Sequence, residues 1–160
     1  MAEEGSEEAR KKAEYYEDTA KVLLEEGIHD VAVDFYTLAG MYSLLAGDEE
    51  GKKYIDKAVE ICNNYDVSGH REIFANIGVQ MFEGKYEGIE EKWNKIKGEY
   101  SEEEDQLIRG LLERLKKKAI EEHVVVQEVA EEWEVAEGEE VQLEGQSSEQ
   151  VINEATLGKE

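Results

Sequence analysis

Glu26-x-x-His29 is the one pairing in this 160-residue chain with the spacing of a metal ligand set. Carboxylate-bridged di-metal bundles use two such pairs together with two further inward glutamates. Here Gly27 interrupts the helix between the Glu and the His, and no second E-x-x-H occurs. The spacing therefore predicts a turn histidine and no metal site. His70 and His123 fall near predicted helix ends, where a polar surface role is expected. Cys62, the single cysteine, falls at the apolar end of a helix and reads as a small buried residue. There is no G-x-x-x-x-G-K-S/T and no G-x-G-x-x-G after a strand, hence no nucleotide loop. No Ser or Cys nucleophile has an evident His partner. The expectation is a protein with no catalytic residue and no cofactor. Arg114-Leu115-Lys116-Lys117-Lys118 is a dense basic cluster, read as a solvated helix face beside acidic neighbours.

Charge narrows the partners. The net charge is −23, and residues 119–160 carry thirteen acidic residues against the single Lys159. Phosphate binding needs Lys and Arg to displace counterions, so this balance opposes nucleic acid and suits a basic partner. The acidic N-terminus lacks the apolar core of a signal peptide. No apolar run approaches the ~20 residues that span a bilayer. With one cysteine and so no internal disulfide, the chain reads as soluble and cytoplasmic.

The elements that would carry any site are helical. Proline is absent, and Glu, Lys, Ala and Leu dominate before His123. Residues 1–6 are expected to be flexible, with Ser6 capping a first helix to about Glu26 whose stripe is Tyr16, Ala20, Leu23 and Leu24. A second helix, about His29–Ala46, is apolar over a broad face and should be buried on more than one side. Asp48 is placed to cap a third, about Glu49–Asn63, with Ile55, Ala58, Val59 and Cys62 inward. Ser68 is placed to cap a fourth, about Gly69–Glu83, with Ile73, Phe74, Ile77, Met81 and Phe82 inward. A fifth, about Tyr86–Lys97, carries Ile89, Trp93 and Ile96. Ser101 and Glu104 form a capping box for the sixth, striped by Leu107, Ile108, Leu111, Leu112, Leu115 and Ala119. Beyond His123 the pattern admits helix or strand; helix to about Ala136 is preferred, followed by a mobile acidic tail. The domain expectation is 1–6, a helical domain 7–123, and an acidic extension 124–160.

Small residues recur beside bulky ones. Tyr16, Ala20, Leu23, Gly27, Ala32, Tyr36 and Ala39 form one series; Phe35, Leu38, Ala39, Tyr42, Gly51, Ile55 and Ala58 form a second. Phe74, Ile77, Gly78, Met81, Gly84, Tyr86, Ile89, Trp93 and Ile96 form a third. Small residues let helices approach closely while bulky ones fill the space beside them. Over residues about 14–97 this resembles the tetratricopeptide repeat, a unit of about 34 residues. The third series resembles it best, with a turn one residue short and no proline after its second helix. The uneven hairpins look like the divergent repeats of SNAP-type membrane-fusion adaptors. A plain helical bundle is the rival reading. The resemblance implies an all-α fold of antiparallel hairpins stacked as a short superhelix of about six helices.

In that family the first helices of the hairpins line a groove. The resemblance therefore implies a partner-binding groove of Glu14, Glu17, Lys21 and Leu24 in one hairpin and Glu72, Ala75, Val79 and Phe82 in another. The family's carboxylate clamp uses Lys and Asn; only Lys21 matches here, so a basic or amphipathic peptide or helix is the expected ligand. The expected function is an adaptor that binds another protein. The alternative is a regulatory or structural protein whose acidic C-terminal segment docks internally or binds a basic partner.

Overall fold

The computed structural model describes the backbone of residues 2–141 and the side chains of residues 5–122. Among these residues the chain is all-α, with no strand. The helices are α1 (Ala2–Glu25), α2 (His29–Leu45), α3 (Lys52–Tyr65), α4 (His70–Glu83), α5 (Ile89–Ile96) and α6 (Glu102–Val141). The chain divides into two compact units, Met1–Lys117 and Lys118–Glu160, and the packing described here is that of the first.

Helix α2 is the centre. From Ala32 to Ser43 only Phe35 is not fully buried, because α1, α3 and α4 all pack on it. A helix apolar over most of its circumference has no solvent face to keep, as its composition predicted. Two apolar clusters result. One joins Ala20 of α1, Ala32, Val33 and Tyr36 of α2, Ala58, Ile61 and Cys62 of α3, and Ala75 of α4. The other joins Ala9 and Ala13, Met41 and Tyr42, Phe74, Ile77 and Met81, Ile89, Trp93 and Ile96, and Leu107, Ile108, Leu111 and Leu112 of α6. Burying each large aliphatic or aromatic side chain contributes about 1.5–3 kcal/mol.

Glycines set how close these helices come. A Cβ on Gly40 of α2 would stand 2.5 Å from Ile55 Cδ1, and one on Gly78 of α4 would stand 2.7 Å from the same atom. Ile55 of α3 thus fills a hole floored by two glycines from two other helices. This close approach is what the small-residue spacing predicted, although Gly40 was not among the residues named for it.

Helix ends differ from expectation in instructive ways. Helix α1 begins at Ala2, so Ser6 lies inside it. Its hydroxyl donates instead to Ala46 O at the C-terminus of α2, 3.0 Å away. Arg114 of the basic cluster does the same for Leu45 O, at 2.9 Å. Asp48 does cap, but its carboxylate accepts from Glu50 N of the 3-10 turn Glu49–Gly51 that leads into α3. Ser68 does not cap α4. Gly69 holds the N-cap position with φ 80° and ψ −144°, and no side chain bonds there. Helix α5 is shorter than expected because Tyr86–Gly88 form a turn, which Gln80 stabilises by donating to Lys85 O and Glu87 O. At Ser101 the capping box forms in part: the backbone N–H donates to Glu104 Oε1 at 2.7 Å. Helix α6 continues to Val141, past the expected end at Ala136 and through the segment that admitted strand. Of the tail expected to be mobile beyond about Ala136, residues 137–141 belong to α6 and 142–160 lie outside the described residues.

Candidate partner-binding face

The α4 residues expected to line a groove separate by depth. Glu72 is exposed, Val79 and Phe82 are half-buried, and Ala75 is buried, at 1% exposure. Spacing puts Glu72, Val79 and Glu83 on one side of the helix, at i, i+7 and i+11, with Phe82 on its flank. Every other apolar residue of α4 belongs to a core cluster or packs against one, whereas Val79 and Phe82 belong to neither. Phe82, also expected to point inward, is therefore divided between core and surface. Ala75 packs in the cluster with Ala58 and Cys62. Burial pushes the Cys62 thiol above its ordinary range, with Glu72 and Asp34 adding to it.

Of the α1 residues, Glu17, Lys21 and Leu24 have partners within the chain. Glu17 accepts from the Tyr54 hydroxyl of α3 at 2.7 Å and pairs with Lys21 at 3.1 Å. Partial burial pushes its carboxyl up, but the Tyr54 hydroxyl and the Lys21 ammonium together take it below the usual range. Lys21 is raised in turn, chiefly by its hydrogen bond to Glu17. Leu24 packs against the cluster that holds Ala75. Glu14 is exposed. Of the eight residues, then, Leu24 and Ala75 meet in one cluster, Glu17 and Lys21 pair with each other, and Glu72, Val79 and Phe82 share a partly open face.

Polar residues that sequence reasoning passed over carry much of the geometry. Asp34, 9% exposed, accepts from the Tyr100 hydroxyl at 2.8 Å and from Arg71 Nε at 3.0 Å. The Tyr100 ring packs 4.5 Å from Phe74 and 5.5 Å from Trp93, between centroids. Glu103, in the first turn of α6, accepts from Lys12 at 2.8 Å and from the Tyr42 hydroxyl at 3.1 Å. An aspartate inside the apolar stretch of α2 was the available signal, but a helix that is apolar all round hides which of its polar residues face inward.

A polar cleft of about 410 Å³ opens between Gly27–Asp30 and Tyr65–Arg71. His29 lines it and stacks on Tyr65, 3.6 Å between centroids at 13°, so the histidine of the E-x-x-H spacing, expected in a turn, is the first residue of α2 with an aromatic partner. Among the described residues no three His, Cys, Asp or Glu side chains stand close enough to hold a metal ion. No described helix is long and apolar enough to cross a membrane. The acidic segment beyond 123, with Trp133, lies outside the described side chains. No protein-family model, curated protein or solved structure matches the chain.

Proposed function

We propose that this chain is a protein-interaction module of the tetratricopeptide-like kind, working in the cytoplasm, whose α4 face takes a basic amphipathic helix or peptide of another protein. The observation that supports it is the position of Val79 and Phe82 outside both core clusters, on the part of α4 that also carries exposed Glu72 and Glu83. Apolar anchors surrounded by charge are the usual way a surface takes an amphipathic helix. A net charge of −23 favours a basic ligand over an acidic one. The α1 residues Glu17 and Lys21 have no part in this reading, since each holds the other.

The test is direct binding. A labelled Leu/Lys amphipathic helix is titrated with the protein beside a Leu/Glu helix of the same length. The reading expects the basic peptide alone to bind, and Phe82→Glu, checked for folding by circular dichroism, to lose that binding. Equal binding of both peptides, or undiminished binding to Phe82→Glu, would remove the α4 face from consideration.

A further inference from the structure

Asp34 is a buried carboxylate that the binding face does not use. It stands where α2, α4 and the segment joining α5 to α6 meet. Tyr100 of that segment donates to one oxygen at 2.8 Å, and Arg71 of α4 donates to the other at 3.0 Å. Arg71 reaches Asp30, one turn earlier on α2, at 3.7 Å. The Tyr100 ring is held by Phe74, by Trp93, and by the edge of His70 at 5.7 Å. A single carboxylate thus ties the joining segment to two helices.

We propose that Asp34 is a pH-responsive latch that sets how tightly the segment joining α5 to α6 is held against α2 and α4. A carboxylate taken out of water is costly unless its partners repay the lost hydration. The charged and titratable groups facing this site are Asp30 on α2, Cys62 on α3, His70 and Arg71 on α4, Tyr100 on the segment, and Glu104 on α6. Burial pushes Asp34 above its ordinary range against the pull of Tyr100, Arg71 and His70. A group raised in the folded state contributes stability that is full in acid and is lost as the pH rises through its folded value. Ionisation strengthens the bonds that Tyr100 and Arg71 donate but costs the buried carboxylate its hydration, so the neutral and charged forms of Asp34 hold the segment differently.

Trp93, 5.5 Å from the Tyr100 ring, reports on the segment. In a Trp133→Phe background the other tryptophan is silent. At low micromolar concentration, Trp93 emission is expected to titrate with a midpoint above the ordinary aspartate range, with unchanged far-ultraviolet circular dichroism. Asp34→Asn is expected to abolish that step. Tyr100→Phe keeps the ring and deletes one bond to the charged form, so it is expected to move the midpoint upward. Asp105, which accepts from the Trp93 indole, titrates below the ordinary range. A step above that range that survives in Asp34→Asn, or a midpoint that stays or falls in Tyr100→Phe, therefore overturns the proposal. If Asp34→Asn does not fold, the Tyr100→Phe titration decides alone. Neither variant touches Val79 or Phe82, so this outcome is independent of peptide binding.

Discussion

Gly78 of α4 faces Ile55 of α3 so closely that a methyl group on the glycine would lie 2.7 Å from Ile55 Cδ1. Gly40 of α2 meets the same side chain from another helix, with a hypothetical Cβ at 2.5 Å from Cδ1 and 2.6 Å from Cγ1. Ile55 is 1% exposed, so it cannot turn away from one helix without pressing on the other. Alanine is the better helix former by about 1 kcal/mol, but overpacking costs about 1–3 kcal/mol. Gly78→Ala is expected to lower stability despite its propensity, by about 1 kcal/mol net, measured by urea unfolding. Adding Ile55→Val removes the Cδ1 that clashes. The double variant should be more stable than the sum of the two single losses, and strict additivity would show that the contact is not the cause.

Trp93 is 2% exposed, its indole N–H donates to Asp105 at 2.7 Å, and its ring lies 5.9 Å from Phe74. Trp93→Ala removes the largest fully buried side chain of the core. It is expected to cost about 3–5 kcal/mol in thermal or urea unfolding. A loss under about 1 kcal/mol would mean that α5 can release its main anchor without penalty.

The first turn of α6 is docked through acids. Glu103 is held below its ordinary value of 4.5, first by the hydrogen bond from Lys12 and then by that from Tyr42. Asp105 is lowered too, chiefly by the Trp93 indole. A group lowered in the folded state contributes stability that is present above its ordinary value and is lost as the pH falls through the folded one. This sign is opposite to that of Asp34. Because Glu103 is largely exposed, solvent screens much of the effect. Urea midpoints between about pH 5 and pH 2 should fall less steeply for Glu103→Gln than for the wild type. An identical slope would show that Glu103 adds nothing to the docking of α6.

What could be read from the sequence divides along physical lines. Periodicity located all six helices and many of their inward residues, because the stripes of Ile55/Ala58/Cys62 or Leu107/Ile108/Leu111 are set by burial alone, but it passed over buried Ala9, Ala13 and Ile61 and counted Phe82 as inward. The breadth of the apolar face on α2 likewise foretold its central place. Helix starts were less legible. Ser6 and Ser68 have the composition of caps, yet one is used across the fold by Ala46 O and the other is displaced by Gly69. A cap depends on which residue can take the required dihedral angles, and neighbouring candidates compete for it. The Asp34–Tyr100 and Glu103–Tyr42 bonds join residues more than sixty positions apart, and no local pattern encodes such distances. For the candidate face, the family resemblance alone implied that Glu72, Ala75, Val79 and Phe82 line one groove. It could not see that Ala75 would be covered by α3.

That last distinction is itself testable. Ala75 and Phe82 lie on neighbouring parts of α4, seven residues apart, but only Ala75 is fully buried. A glutamate at position 75 would force a carboxylate among the apolar side chains of Ala58, Cys62 and Ala20. Ala75→Glu is expected to cost about 3 kcal/mol or more, or to prevent folding. Phe82→Glu can swing its charge into solvent and gives up only part of a buried ring, so about 1 kcal/mol is expected. Urea unfolding of the two variants side by side measures the difference. Equal losses would mean that Phe82 is a core residue after all, and the α4 face would then have no apolar anchor to offer a partner.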